Sequence, residues 1–177
     1  MKNCDTLRAV YLNELRHLFS AEAILLQSWP SISAKVVTPA LRELISTQVG
    51  KTQIHLSRLE QIFKDLSETA ADYRCQAMAA MVAEVRRYGE ASGDHDVRDA
   101  AIISATRKIH HYKGGAYATV CALASRLGDP RVAKQFRAMQ RDERAADHQL
   151  AKIADNSVNL NAGNPAKAKT ELDVSIF

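Results

Sequence analysis

Residues 38–66 read TPALRELISTQVGKTQIHLSRLEQIFKDL. A threonine followed by a proline suits a helix start, because proline lacks the amide that a first turn leaves unbonded. Apolar side chains then recur at Leu41, Ile45, Leu59, Ile62 and Leu66, at intervals that keep them on one helix face. The middle of that face is filled instead by Gln48, Thr52 and His55, with Lys51 alongside. A buried charge without a partner costs several kcal/mol or neutralises. The stretch therefore predicts a helix that packs in a bundle and meets polar partners halfway along its length.

Those partners are found by reading outward. A helix from Asp5 or Thr6 to Trp29, stopped by Pro30, carries Leu7, Tyr11, Leu15 and Leu18, then Glu22, then Leu25 and Trp29. Beyond residue 66, a shorter helix over 72–88 carries Cys75, Met78, Val82 and Val85 on one side. Asp94 or Asp96 caps a long helix that runs to Leu127, with Gly128 as its stop. It presents His110 and Lys113, with His111 on the adjoining face. Asp129-Pro130 opens a last helix whose stripe is Val132, Phe136, Met139, Glu143, Ala146/Asp147, Leu150 and Ile153.

Four long helices thus break their apolar pattern at similar heights. Short links after the first and the penultimate long helix predict two antiparallel hairpins, and the segment between the hairpins is long enough to cross the bundle with its short helix. The expected fold is all-α, a ferritin-like four-helix bundle over residues 1–154 with a long crossover carrying a short fifth helix. Residues 155–177, rich in Asn and ending in the alternating Leu172–Phe177, read as a flexible tail with a strand-like end. That end could dock on its own surface or add as a strand to a protein partner.

The 177 residues are 46% hydrophobic and 25% charged, with 7 Gly and 4 Pro, a composition of long uninterrupted elements in one globular domain. Net charge is +4 but the signs are interspersed, which argues against a nucleic-acid face. No run approaches the ~18 apolar residues a membrane helix needs, and no secretory leader is apparent at Met1–Arg16. The three cysteines lack metal-type spacing, and Cys75 and Cys121 read as small buried hydrophobes. These features lead to the expectation of a cytoplasmic protein.

The polar layer invites a metal reading. Carboxylates and imidazoles suit iron, manganese or zinc, and ferritin-like di-metal proteins use two lone glutamates plus two Glu-x-x-His pairs. Here Thr52-x-x-His55 lacks the carboxylate and Glu143-x-x-Ala146 lacks the imidazole. The candidate ligands are Glu22, His55, His110, His111, Glu143 and Asp147. Lys51 and Lys113 are fixed cations that would repel a metal.

The order and spacing of Phe19-Ser-Ala-Glu22, Thr52 through Gln61, Cys75-Gln-Ala-Met78, Val97-Arg-Asp-Ala-Ala, His111-Tyr112 with Tyr117, and Asp142-Glu143 through Asp147 carry a resemblance. The chain resembles a divergent member of the YciF/YciE-type family of bacterial stress-associated proteins, a ferritin-like domain of unknown function. The resemblance covers residues 7–154. It implies a stress context, a homodimer, and a metal site to which Glu22, Glu143 and Asp147 would contribute. The family pattern has Glu-Glu-Thr at Gly50-Lys51-Thr52 and Glu-His-Tyr-Glu at His110-His111-Tyr112-Lys113, so both lysines stand where the family has glutamate.

Three expectations follow. In the first, Lys51 and Lys113 replace the metal's charge, pair with Glu22 and Glu143/Asp147, and leave a cofactor-free protein that acts through assembly or partner binding. In the second, a mononuclear or di-metal Fe, Mn or Zn site supports an oxidoreductase handling peroxide or oxygen. In the third, the tail is a linear interaction motif. Elsewhere, Tyr112 and Tyr117 are placed to hydrogen-bond the polar layer. Gly114-Gly115 in mid-helix predicts a close helix approach or a local bulge, since each glycine costs about 1 kcal/mol relative to alanine.

Overall fold

A computed structural model describes residues 5–70 and 73–163, and among these residues every regular element is helical. The order is α1 (Leu7–Lys35), α2 (Pro39–Asp65), α3 (Gln76–Gly89), α4 (His95–Arg126), α5 (Pro130–Ile153), a π-turn at Ala154–Val158 and α6 (Asn159–Ala162). Helix α1 packs on α2 and α4, while α5 packs on α4 and α2, which closes a ring of four. The crossover helix α3 lies over α1 and α4.

Two apolar cores sit at opposite ends of this ring. One joins Leu25, Trp29 and Ile32 of α1 with Ile45, Ile102, Ile109 and Leu150. The other joins Leu15 and Leu18 with Leu59, Ile62, Tyr117, Val120, Phe136 and Met139. The late part of α1 therefore meets the early part of α2 and of α4, and neighbours in the ring run antiparallel. Helices α2 and α4 run parallel, so a chain passing from one to the other must travel back along the bundle. The crossover is the geometric consequence.

Local chemistry explains most boundaries. Thr6, Asp94 and Asp129 each cap a helix through a side-chain oxygen that accepts backbone N–H groups. Gly128 takes φ +86° and ends α4, a conformation that favours glycine. Thr38 precedes Pro39 as expected, but its hydroxyl makes no capping bond. The buried Asp99 of α4 serves instead, accepting from Thr38 N at 2.7 Å and from Val37 N at 3.2 Å.

Three boundaries differ from the sequence reading. Pro30 does not stop α1, which continues to Lys35. The apolar stripe runs on through Trp29, Ile32 and Val36, all buried, and that burial outweighs the proline penalty of about 3 kcal/mol. Helix α3 begins at Gln76, where the Cys75 sulfur accepts from Met78 N. The ordered chain also passes residue 154, because Val158 is fully buried in the first core and α6 packs on α4. Apolar Val158 and Leu160 lie among asparagines, so composition concealed the docking side chain. The alternating end at Leu172–Phe177 lies outside the described residues.

Candidate functional site: a buried ion-pair layer

Between the two cores each long helix contributes to one polar layer: Glu22 from α1, Thr52 and His55 from α2, His110 and Lys113 from α4, and Glu143 from α5. All are buried, with Glu22 at 0% and Lys113 at 2% exposure. Helical spacing accounts for this convergence. Three of the polar residues stand four residues, about one turn, after a core residue of the same helix: Leu18 to Glu22, Ile109 to Lys113 and Met139 to Glu143.

The Lys113 ammonium is at the centre. Its Nζ lies 3.0 Å from Glu22 Oε1 and 2.8 Å from Glu143 Oε1. Glu143 Oε2 is 2.7 Å from His110 Nδ1. His55 bridges the layer, with Nδ1 3.3 Å from Glu22 Oε1 and 3.6 Å from Glu143 Oε1, and Nε2 3.3 Å from Asp142 Oδ2 near the surface. The Tyr117 hydroxyl donates a hydrogen bond to Glu22 Oε1. Trp29 donates to Thr52 Oγ1 at 3.0 Å and stacks on His110. Glu22 Oε2 is buried without a partner among the described residues.

Electrostatics follows from this packing. Burial alone would push the Glu143 carboxyl up, but the Lys113 charge and the His110 contact outweigh it and hold the carboxyl at about 2. Burial alone would push Lys113 down, yet Glu143 and Glu22 hold its ammonium above the usual lysine range. Tyr117 is raised well above the ordinary phenol, by burial first and then by the two carboxylates. The layer therefore holds a protonated lysine, an ionised Glu143 and a neutral tyrosine at neutral pH.

The sequence points to six residues as ligands and two as compensating cations. The structure brings together Glu22, His55, His110, Glu143 and Lys113. Asp147 lies apart, bound to Arg107 Nε at 2.7 Å and His111 Nε2 at 3.2 Å. His111 is 67% exposed, because the residue after an inward-facing His110 turns about 100° away. Lys51 is half-buried and forms no ion pair among the described residues, so one lysine compensates the layer rather than two. It follows inward-facing Gln48 by three positions, but Thr52 takes the core position beside it.

Asp142 and Trp29 were missed as contributors to the layer. Asp142 flanks the stripe residue Glu143, which was the available signal. Trp29 reads from the sequence as simple core. Tyr112 bonds the Cys75 sulfur at 3.3 Å rather than the layer. Burial, that contact and nearby acidic groups raise its phenol.

Glu22, His55 and Glu143 each offer a ligand atom, all within 4.8 Å of one another. The Lys113 ammonium touches both of these carboxylates, however, and occupies the position from which a cation would coordinate them. Two carboxylates already facing one fixed positive charge leave too little negative charge for a pair of divalent ions. The residues present do not fit a di-metal centre.

Comparison with known proteins agrees with this architecture. The chain is 28% identical over 165 residues to Protein YciF of Escherichia coli, covering 93% of this chain and 99% of YciF. It superposes on the crystal structure of the E. coli stress protein YciF with a TM-score of 0.84, at 27% identity, over 88% of this chain and 98% of that one. The structure of YcfI from Rhodopseudomonas palustris gives a TM-score of 0.81 at 26% identity, over 86% and 98% of the two chains. Residues 6–163 match the family described as Domain of unknown function (DUF892), and on that match, with its all-helical bundle and YciF-like chain course, the protein belongs to this family.

Proposed function

We infer that this protein is a metal-free member of its family, in which the Lys113 ammonium does the charge-balancing work of a metal and the bundle acts through assembly or partner binding. The observation that carries this reading is the placement of Nζ 3.0 and 2.8 Å from the two buried carboxylates. A metal-bound oxidoreductase needs open coordination positions, which a fixed ammonium denies. The relative YciF is named a stress protein, and a role in stress adaptation comes to this chain by that likeness. A homodimer is the simplest assembly, and residues 155–177 could supply a further partner contact. No helix of the described residues is long and apolar enough to cross a membrane.

Elemental analysis after purification with added iron, manganese and zinc tests the reading. The wild-type protein is expected to hold none of them in stoichiometric amount. Lys113→Glu restores a third carboxylate beside His55 and His110, and is expected to take up close to one equivalent. A metal held by the wild-type chain and lost on Glu143→Ala would overturn the metal-free reading in favour of an oxidoreductase acting on peroxide or oxygen.

A further inference from the structure

Gly114 and Gly115 lie in the middle of the 32-residue helix α4, yet neither packing nor backbone requires them. A Cβ built on either would meet nothing within 4 Å among the described residues outside the helix's own nearby backbone, and neither backbone is left-handed. The close approach or bulge that two mid-helix glycines suggest is therefore absent, and α4 runs through them unbroken. What the missing side chains leave is space. A cleft of about 390 Å³ opens between α4 and α5 at this point, with His110 and Glu143 among its lining residues.

The charges lining this cleft are unevenly engaged. Glu143 is paired with the Lys113 ammonium and hydrogen-bonded to His110. Asp147 is paired with Arg107 and contacts His111, and Arg107 holds its carboxyl below the ordinary value against the opposing effect of burial. Arg144, also in the lining, has no ion pair or hydrogen bond among the described residues, and the neighbouring Gln140 amide is likewise without a partner. A free guanidinium offers five donors in a planar fork that matches an oxyanion in bidentate fashion. We propose that the cleft at Gly114–Gly115 is a binding site for a small oxyanion, a phosphate or a carboxylate, seated on Arg144 and Gln140. The site does not depend on whether Lys113 excludes a metal, since none of its free donors belongs to the buried layer.

The full-length protein is titrated with inorganic phosphate and, separately, with acetate at constant ionic strength, with chloride as the control. Amide NMR shifts of Gly114, Gly115 and Gln140 are followed. The expected result is a saturable shift for at least one of the two anions, with a Kd of about 1 mM or tighter. Arg144→Gln should weaken it about tenfold or more, and Gly115→Leu should abolish it by filling the cleft. Both substitutions are on exposed positions, and an unchanged helical circular dichroism signal identifies folded variants. Tighter phosphate binding assigns a tetrahedral anion and tighter acetate binding a carboxylate. The proposal is overturned by no saturation with either anion, by equal shifts with chloride, or by a titration that Arg144→Gln leaves unchanged.

Discussion

At the scale of single residues, Lys113 decides the chemistry of the bundle. A buried ion pair adds little net stability, but removing one partner strands the others, at a cost of about 3–5 kcal/mol. Lys113→Met is therefore expected to destabilise the protein by that amount in urea unfolding. Acidity should act on the same contact. The folded Glu143 carboxyl, at about 2, lies below its ordinary 4.5, so its contribution is complete above the ordinary value and is lost as pH falls toward 2. The loss is on the order of 3 kcal/mol, read as a falling denaturation midpoint across that acidic range. Lys113 works in the opposite sense, because its folded value is raised above 10.5. Its contribution is complete below the ordinary value and fades as pH rises through the folded one. The layer should be most stable between these two limits.

At the scale of elements, the hairpin link between α1 and α2 depends on a residue far away in the chain. Asp99 of α4 accepts the Val37 and Thr38 amides from its fully buried position. Hydrogen bonds to a charged group contribute about 1.5–3 kcal/mol. Asp99→Ala should cost at least that much and should speed hydrogen exchange at those two amides. Helix α4 carries a complementary reserve. Gly114→Ala meets no steric obstacle, and it should raise stability by about 1 kcal/mol, seen as a higher Tm. If Gly114→Ala instead lowers Tm, the glycine has a backbone role that its surroundings do not reveal. Helix α1 shows the limit of local rules. Pro30 is a helix breaker by propensity, and its position was read accordingly, yet Ile32 and Val36 beyond it are buried in the core and carry the helix on.

At the scale of the whole molecule, the polar layer divides the interior into two apolar cores and draws a residue from each of the four long helices to one level. A uniform apolar interior would let helices slide by a turn, whereas partners such as Lys113, Glu22 and Glu143 meet in one register only. Replacing all three together, Glu22→Leu, Lys113→Met and Glu143→Leu, should cost less stability than Lys113→Met alone, because no charge is left buried and unpaired. If the triple variant proves the less stable, the layer contributes net energy as well as register. At the far end of the chain, Val158→Ala should cost about 2 kcal/mol, since this side chain is fully buried in the first core. A negligible change would return the boundary of the packed domain to residue 154.

Much of this architecture could be read without coordinates, for a definite reason. Helix periodicity is local: Leu41, Ile45, Leu59 and Ile62 fall on one face whatever surrounds them, and the break at Gln48, Thr52 and His55 is visible in the same stretch. The lengths of the connections then leave few ways to pair four such helices. Glu22, His55, His110, Glu143 and Lys113 were therefore identifiable as inward polar residues, and Gly128 as a stop. Their pairing was not, because a stripe records which face is buried but not which atoms across the bundle meet there. Lys51 and Lys113 look equivalent in the chain, each standing near the middle of an otherwise apolar stripe. The helix rotations set by packing bury Lys113 between two carboxylates and leave Lys51 half-buried, without an ion partner among the described residues. Asp147 turns to Arg107, a partner forty residues away, by the same kind of long-range choice. Periodicity established the bundle and its polar level; three-dimensional packing selected the single ammonium at its centre and the open cleft beside it.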